Sequence, residues 1–207
     1  PEIRLRLGER LRVTVDNRLG RPTTVHWHGL RIENAMDGVP GLTQKPIAAG
    51  AGFVYEFAPP DCGTFWYHPH VGGSEQQGRG LRGVLIVDEP SPIAVDRDLV
   101  WVLEDWRLTA QAAVHESFGN LMDASHAGRI GTTFTLNGRL VHDVAVHSAA
   151  RVRLRLVHPP NARLFSFPFH PPSPPLPPLA SQPPTPPPPP VRALSLPPPP
   201  RRPPLPP

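Results

Sequence analysis

Proline is spread so unevenly along this chain that only its first four-fifths can build a core. Of the 33 prolines, 22 fall between Pro168 and Pro207, the last glycine is Gly138 and the last acid is Asp143. A segment of proline, leucine, serine and arginine without periodicity cannot bury enough apolar surface to offset its ordering entropy. Residues 168–207 therefore read as a disordered proline-rich tail with polyproline II as its local conformation. Two readings of the tail stay open: a spacer or PxxP ligand for an SH3-like partner, and a frame-shifted stretch of a GC-rich gene.

Upstream of the tail, short strands alternate with turn signals, which predicts an all-β sandwich or barrel rather than βαβ units. Ile3, Leu5 and Leu7 alternate with charges, Gly8-Glu9 turns the chain, and Leu11, Val13 and Val15 alternate again, the pattern of a hairpin. Further strands are expected over Thr23 to Ile32, Phe53 to Phe57, Gly63 to His68 and Leu81 to Asp88. No stretch of residues 1–88 carries a sustained helical period. After the linker Glu89-Pro90-Ser91-Pro92, the continuous apolar run Leu99 to Leu103 suits a strand buried on both faces. Residues 107 to 129 read as a long excursion, and Phe134 to Asn137 and Val152 to Val157 add two strands. These are too few to close a second sandwich, so residues 93–167 form a partial one.

The formal charge of +4 does not make a nucleic-acid surface, because a basic patch must cluster on one face. Here the acids run out after Asp143, leaving Arg151, Arg153, Arg155 and Arg163 without local counter-charges, and no nucleic-acid partner is expected. No apolar run approaches the roughly 20 residues that span a bilayer, so no membrane partner is expected either. The single cysteine, Cys62, excludes an internal disulfide framework and reads as a small packing residue.

Two His-x-His doublets carry the chemistry: His26-Trp27-His28-Gly29, and His68-Pro69-His70 after Phe65-Trp66-Tyr67. Residues two apart on a strand point to the same face, so each doublet presents two imidazoles to one side. Neutral imidazole suits copper, zinc, iron and nickel, and affinity among divalent ions peaks at copper. The spacing of roughly 6.5 to 7 Å within a doublet favours a polynuclear cluster over one closed tetrahedral site. His115, His126, His142, His147, His158 and His170 show no ligand spacing.

The run Thr23-Thr24-Val25-His26-Trp27-His28-Gly29-Leu30, followed by Met36-Asp37-Gly38-Val39-Pro40-Gly41, is similar to the first copper motif of bacterial, laccase-like multicopper oxidases. Asp61-Cys62-Gly63-Thr64-Phe65-Trp66-Tyr67-His68-Pro69-His70 resembles the second, and residues 99 to 138 look like that family's second domain. The resemblance covers roughly residues 1–167. It implies a cupredoxin-like Greek-key β-sandwich over 1–88, with His26 on type 2 copper and His28, His68 and His70 on the type 3 pair of a trinuclear cluster. It also implies Asp37 as an acid that orients water and relays protons, O2 and a phenol-like or metal-ion reductant as partners, and a periplasmic or secreted location.

The family's remaining ligands, a His-Pro-x-His-x-His segment and a His-Cys-His segment, do not occur in the chain. The mononuclear blue (type 1) copper needs that cysteine between histidines, so no type 1 ligands are present. An oxidoreductase in its intact form and an inactive, truncated copper-binding module therefore both stand as readings. A cupin is a third, since Gly20, His26, His28 and Glu33 nearly fit its first metal motif. Its second motif needs an asparagine four residues after a histidine, where Gly72 and Ser74 stand instead.

Overall fold

The computed structural model describes residues 1–140, 143–159 and 161–166. The proline-rich tail lies outside the described residues. Strands β1 (Glu2–Arg6), β2 (Leu11–Asp16), β3 (His26–His28), β4 (Gly52–Phe57), β5 (Gly63–His68) and β6 (Gly83–Asp88) come first. They are followed by β7 (Arg97–Trp106), β8 (Thr133–Leu136) and β9 (Val152–Val157).

The first six strands form two layers. One is a four-stranded sheet ordered β1-β6-β5-β3, with β1 parallel to β6 and the other pairs antiparallel; the other is the antiparallel pair β2-β4. Leu5, Trp27, Ile47, Tyr55, Phe57, Leu85 and Val87 fill the space between them. This is an all-β, cupredoxin-like sandwich, as the sequence predicts.

The turn at Gly8 forms with φ +92°, but the hairpin around it does not. β1 runs beside β6 and β2 beside β4, so the chain crosses from one layer to the other. Crossing sets the apolar faces of Ile3 and Leu5 and of Leu11, Val13 and Val15 opposite each other across a common core. A two-stranded ribbon would leave that face without cover. The strand expected over Thr23 to Ile32 shrinks to His26–His28: Thr23 makes only an isolated bridge to Ile47, and Gly29 at φ +85° turns the chain away. Two short helices, α1 (Gly73–Gly78) and α2 (Leu121–Ser125), and a 3₁₀ turn at Asn34–Met36 have no periodic signature because each is about one turn long.

β7 is central in a second sheet ordered β8-β7-β9. Its apolar run packs on both faces, with Trp101 and Leu103 buried and Leu99, Val100 and Val102 half-buried. Val100 and Val102 pack with Val157 against Val84, Ile86 and Trp66 of the four-stranded sheet. Leu99, Trp101 and Leu103 face the other way, onto Leu136, Phe134, Leu154, Val144 and Phe165. Of the arginines that lack counter-charges along the sequence, Arg153, Arg155 and Arg163 find them in the fold. The Arg155 side chain, 3% exposed, donates twice to Asp98 at 2.8 Å and once to Thr64 Oγ1 at 2.8 Å. Arg4 bridges Asp88 and Asp98, Arg153 pairs with Glu89, and Arg163 with Asp105. Sequence-local charge balance misses these pairs because their partners are more than fifty residues away.

Candidate metal centre

Strand alternation sorts the doublet His26-Trp27-His28. Trp27, 1% exposed, turns into the core, where its ring meets Tyr55 at 5.7 Å, Phe57 at 5.1 Å and Tyr67 at 5.3 Å. His26 and His28 consequently project from the opposite face of the sheet. β5 pairs antiparallel with β3 in the register His26↔His68 and His28↔Trp66, which puts His68 beside them. His70 lies just past the end of β5. Its backbone N–H donates to Thr24 Oγ1 at 3.2 Å, and Thr24 is fully buried, so the second doublet is pinned to the strand entering the first.

The four rings converge. His26 lies 5.6 Å from His28, 5.5 Å from His68 and 4.4 Å from His70 between ring centroids, and His68 lies 5.6 Å from His28 and 5.0 Å from His70. One ligand atom from each of His26, His68 and His70 lies within 4.8 Å of the others, the one such group of three among the described residues. His28 joins through Nδ1, 3.4 Å from His68 Nε2.

Hydrogen bonds fix which nitrogens face inward. His26 Nδ1 donates to the Asp37 backbone carbonyl at 2.8 Å, and His68 Nδ1 donates to the Pro69 carbonyl at 3.1 Å. A carbonyl only accepts, so both Nδ1 atoms carry the proton and both Nε2 atoms present a lone pair. Burial pushes His68 down to about 4, reinforced by the neighbouring imidazoles, and burial also lowers His28 and His70. For His28, His68 and His70 burial thus favours the neutral form, the form that binds a metal.

Asp37 reaches the site mainly through its backbone. Its carboxylate Oδ1 stands 3.4 Å from His26 Nδ1, farther than its carbonyl. The following Gly38 has φ +79°, and a Cβ there would fall 1.9 Å from the Val25 carbonyl oxygen. Only glycine lets this turn lie against the strand entering His26. Asp37-Gly38 thus forms a turn that sets the Asp37 carbonyl against His26 Nδ1.

Two parts of the site escape sequence reading. Trp66 stacks on His68 at 4.1 Å and on His28 at 4.8 Å, walling the cluster; the signal was present, since Trp66 shares strand parity with His68. The second part is a cleft of about 460 Å³ lined by His68, His70, Ser74, Asn120, Arg129 and Asn161 among others. Its far wall comes from the excursion after β7, which has no periodicity to announce it. Cys62 departs from expectation: it is exposed, in the turn that leads into β5, and packs no core. Glu33, the acid that a cupin would need, is exposed and outside the ligand group. His115 and His158 bond to the backbone of Ser117 and Arg163, and none of the other described histidines joins the cluster. His142 and His170 lie outside the described residues.

Residues 1–92 match the family described as multicopper oxidase. Over 134 residues the chain is 40% identical to multicopper oxidase MmcO of Mycobacterium tuberculosis, covering 64% of this chain and 26% of that protein. Over 108 residues it is 43% identical to copper resistance protein A of Escherichia coli, covering 51% of this chain and 18% of that protein. The chain thus spans about a quarter or less of these relatives' length. A crystal structure of a multi-copper oxidase from Pseudomonas thermotolerans superposes with a TM-score of 0.70 at 37% identity, covering 79% of this chain and 40% of that one. Motifs, sandwich and relatives agree: residues 1–92 are a multicopper oxidase domain.

Proposed function

We propose that His26, His28, His68 and His70 bind copper as half of a trinuclear cluster, His26 on the type 2 ion and the other three on the type 3 pair. The observation that carries this reading is the convergence of four imidazoles, two of them locked with Nε2 inward. A donor set of neutral imidazoles without thiolate or carboxylate suits copper. The intact protein couples one-electron oxidation of a phenol-like or metal-ion substrate to reduction of O2 to water, and works in the periplasm or outside the cell. Bound copper supplies the redox chemistry. The chain's own residues orient the ligands: Asp37 holds the His26 tautomer through its carbonyl, and its carboxylate is placed to keep a proton near Nδ1. Residues 1–88 act as one domain and residues 93–167 as part of a second.

One observation favours a second reading for the chain taken alone, a copper-binding module without turnover. Neither the His-Pro-x-His-x-His nor the His-Cys-His segment occurs in the 207 residues, so half of the ligands and the entry point for electrons are not encoded here. Copper titration with spectroscopy and an oxygen electrode separates the two. Bound copper, no blue absorption band and no oxygen uptake identify the module; oxygen uptake with a phenolic substrate identifies an enzyme. His68→Ala is expected to weaken copper binding at least tenfold, and unchanged binding removes the site assignment itself.

A further inference from the structure

Three of the four clustered histidines are held by the sheet, and His70 is not. The β3-β5 ladder reaches its end at His26↔His68, and His70 lies two residues beyond it. His26 and His68 are further fixed by Nδ1 bonds to carbonyls, whereas among the described residues the His70 ring makes no hydrogen bond. Its position 4.4 Å from His26 is therefore set through its backbone.

That backbone folds straight back on itself. The Gly72 carbonyl accepts from the N–H groups of Glu75 and Gln76 at 3.0 Å each, which starts α1. A helix of about one turn does not hold itself, because its nucleus fixes more dihedrals than it gains hydrogen bonds. Gln76, 4% exposed, is the one buried residue of α1. Its Nε2 donates to the Pro22 carbonyl at 3.0 Å. A carbonyl only accepts, so the amide orientation is decided and Oε1 takes the proton of the Thr23 hydroxyl at 2.7 Å. Thr23 is 5% exposed and exchanges backbone hydrogen bonds with Ile47 in both directions, a firm anchor. From Thr23 the chain runs through Thr24 and Val25 into His26, and Thr24 Oγ1 accepts the His70 N–H at 3.2 Å. Two adjacent tethers thus join the segment that carries His70 to the segment that enters His26. A leucine or methionine would fill the place of Gln76 without polar groups to satisfy, so what the amide adds is a defined position.

We propose that Gln76 is a positioning residue for the metal centre: its amide ties the helix after His70 to Pro22 and Thr23, and so sets His70 against His26. This role rests on the copper reading of the four histidines.

The test is a double-mutant cycle in the full chain, with copper(II) affinity measured for the natural sequence, Gln76→Met, His70→Ala and the pair. Gln76→Met is expected to weaken copper roughly 10- to 100-fold, the usual effect of removing a group that orients a ligand. In the His70→Ala background the same change should alter affinity by less than about twofold, because the ligand through which Gln76 acts is already gone. Without metal, the His70 amide should exchange its hydrogen about tenfold faster in Gln76→Met. Should Gln76→Met fail to fold, Thr23→Val removes one tether at nearly constant shape and carries the same cycle, and Thr23→Ser, which keeps the hydroxyl, should bind copper as the natural chain does. Equal weakening in both backgrounds, or unchanged His70 exchange, overturns the proposal. No copper binding by the natural chain overturns the copper reading and this role with it. Binding by the natural chain that Gln76→Met leaves unchanged overturns the role alone.

Discussion

The sandwich of residues 1–88 and the sheet β8-β7-β9 are built from similar strands and hold their cores differently. In the first, two layers enclose Leu5, Trp27, Tyr55, Phe57, Leu85 and Val87, so the core is covered by regular structure on both sides. In the second, one sheet faces the first sandwich through Val100, Val102 and Val157, and its other face is covered partly by loop residues Val144 and Phe165. The difference teaches that the two regions cover each other at this junction, while the histidine cluster sits wholly on the first.

The largest effect should come from breaking the first core. Trp27→Ala removes a fully buried ring between two histidines, and a loss of roughly 3–5 kcal/mol is expected in denaturant unfolding. Both regions should unfold together; survival of the second sheet would show that it stands without the first. Arg155→Ala comes next. It leaves Asp98 facing Arg4 alone at the junction, and a loss of roughly 3 kcal/mol is expected, confined in hydrogen exchange to β7, β8 and β9. Equal exchange in β2 and β4 would show that the two regions are one cooperative unit.

A pH titration sharpens the same contrast. His68 in the folded chain takes a proton only near 4, whereas in the unfolded chain it does so near the ordinary 6.5. The unfolded state therefore binds more protons between these values, and stability is full above 6.5, falls as pH drops toward 4, and levels off below. His28 and His70, also lowered, add in the same direction. His68→Gln should flatten the metal-free Tm-versus-pH curve in that window, and an unchanged curve removes His68 as its source. The smallest effect belongs to Asp37→Asn. The carbonyl that holds His26 Nδ1 remains, so stability should stay within about 0.5 kcal/mol. A larger loss would mean that the carboxylate, not the backbone, orients the ring.

Where strands were legible, alternation made them so: Gly63–His68 and Val152–Val157 begin and end where the sequence places them. Alternation does not say which strand is a neighbour, and that is why Ile3 to Val15 reads as a hairpin yet splits between two layers. Pairing is decided by which apolar faces can be covered, a property of the whole fold. The same limit hid the partners of Arg153, Arg155 and Arg163, and kept the excursion carrying Asn120 and Arg129 from being seen as a wall of the site.

By itself the sequence determined the fold class, the face on which His26, His28 and His68 stand, and the family, because strand parity and motif spacing are local properties. Only the tertiary structure decided that the doublets meet. Bringing His68 beside His26 takes the antiparallel register of β3 and β5, and bringing His70 in takes the hydrogen bond to Thr24. Seating Asp37 behind His26 takes a glycine turn lying against Val25. Each is a contact between residues distant in sequence, fixed by burial and hydrogen bonding that the linear pattern does not carry.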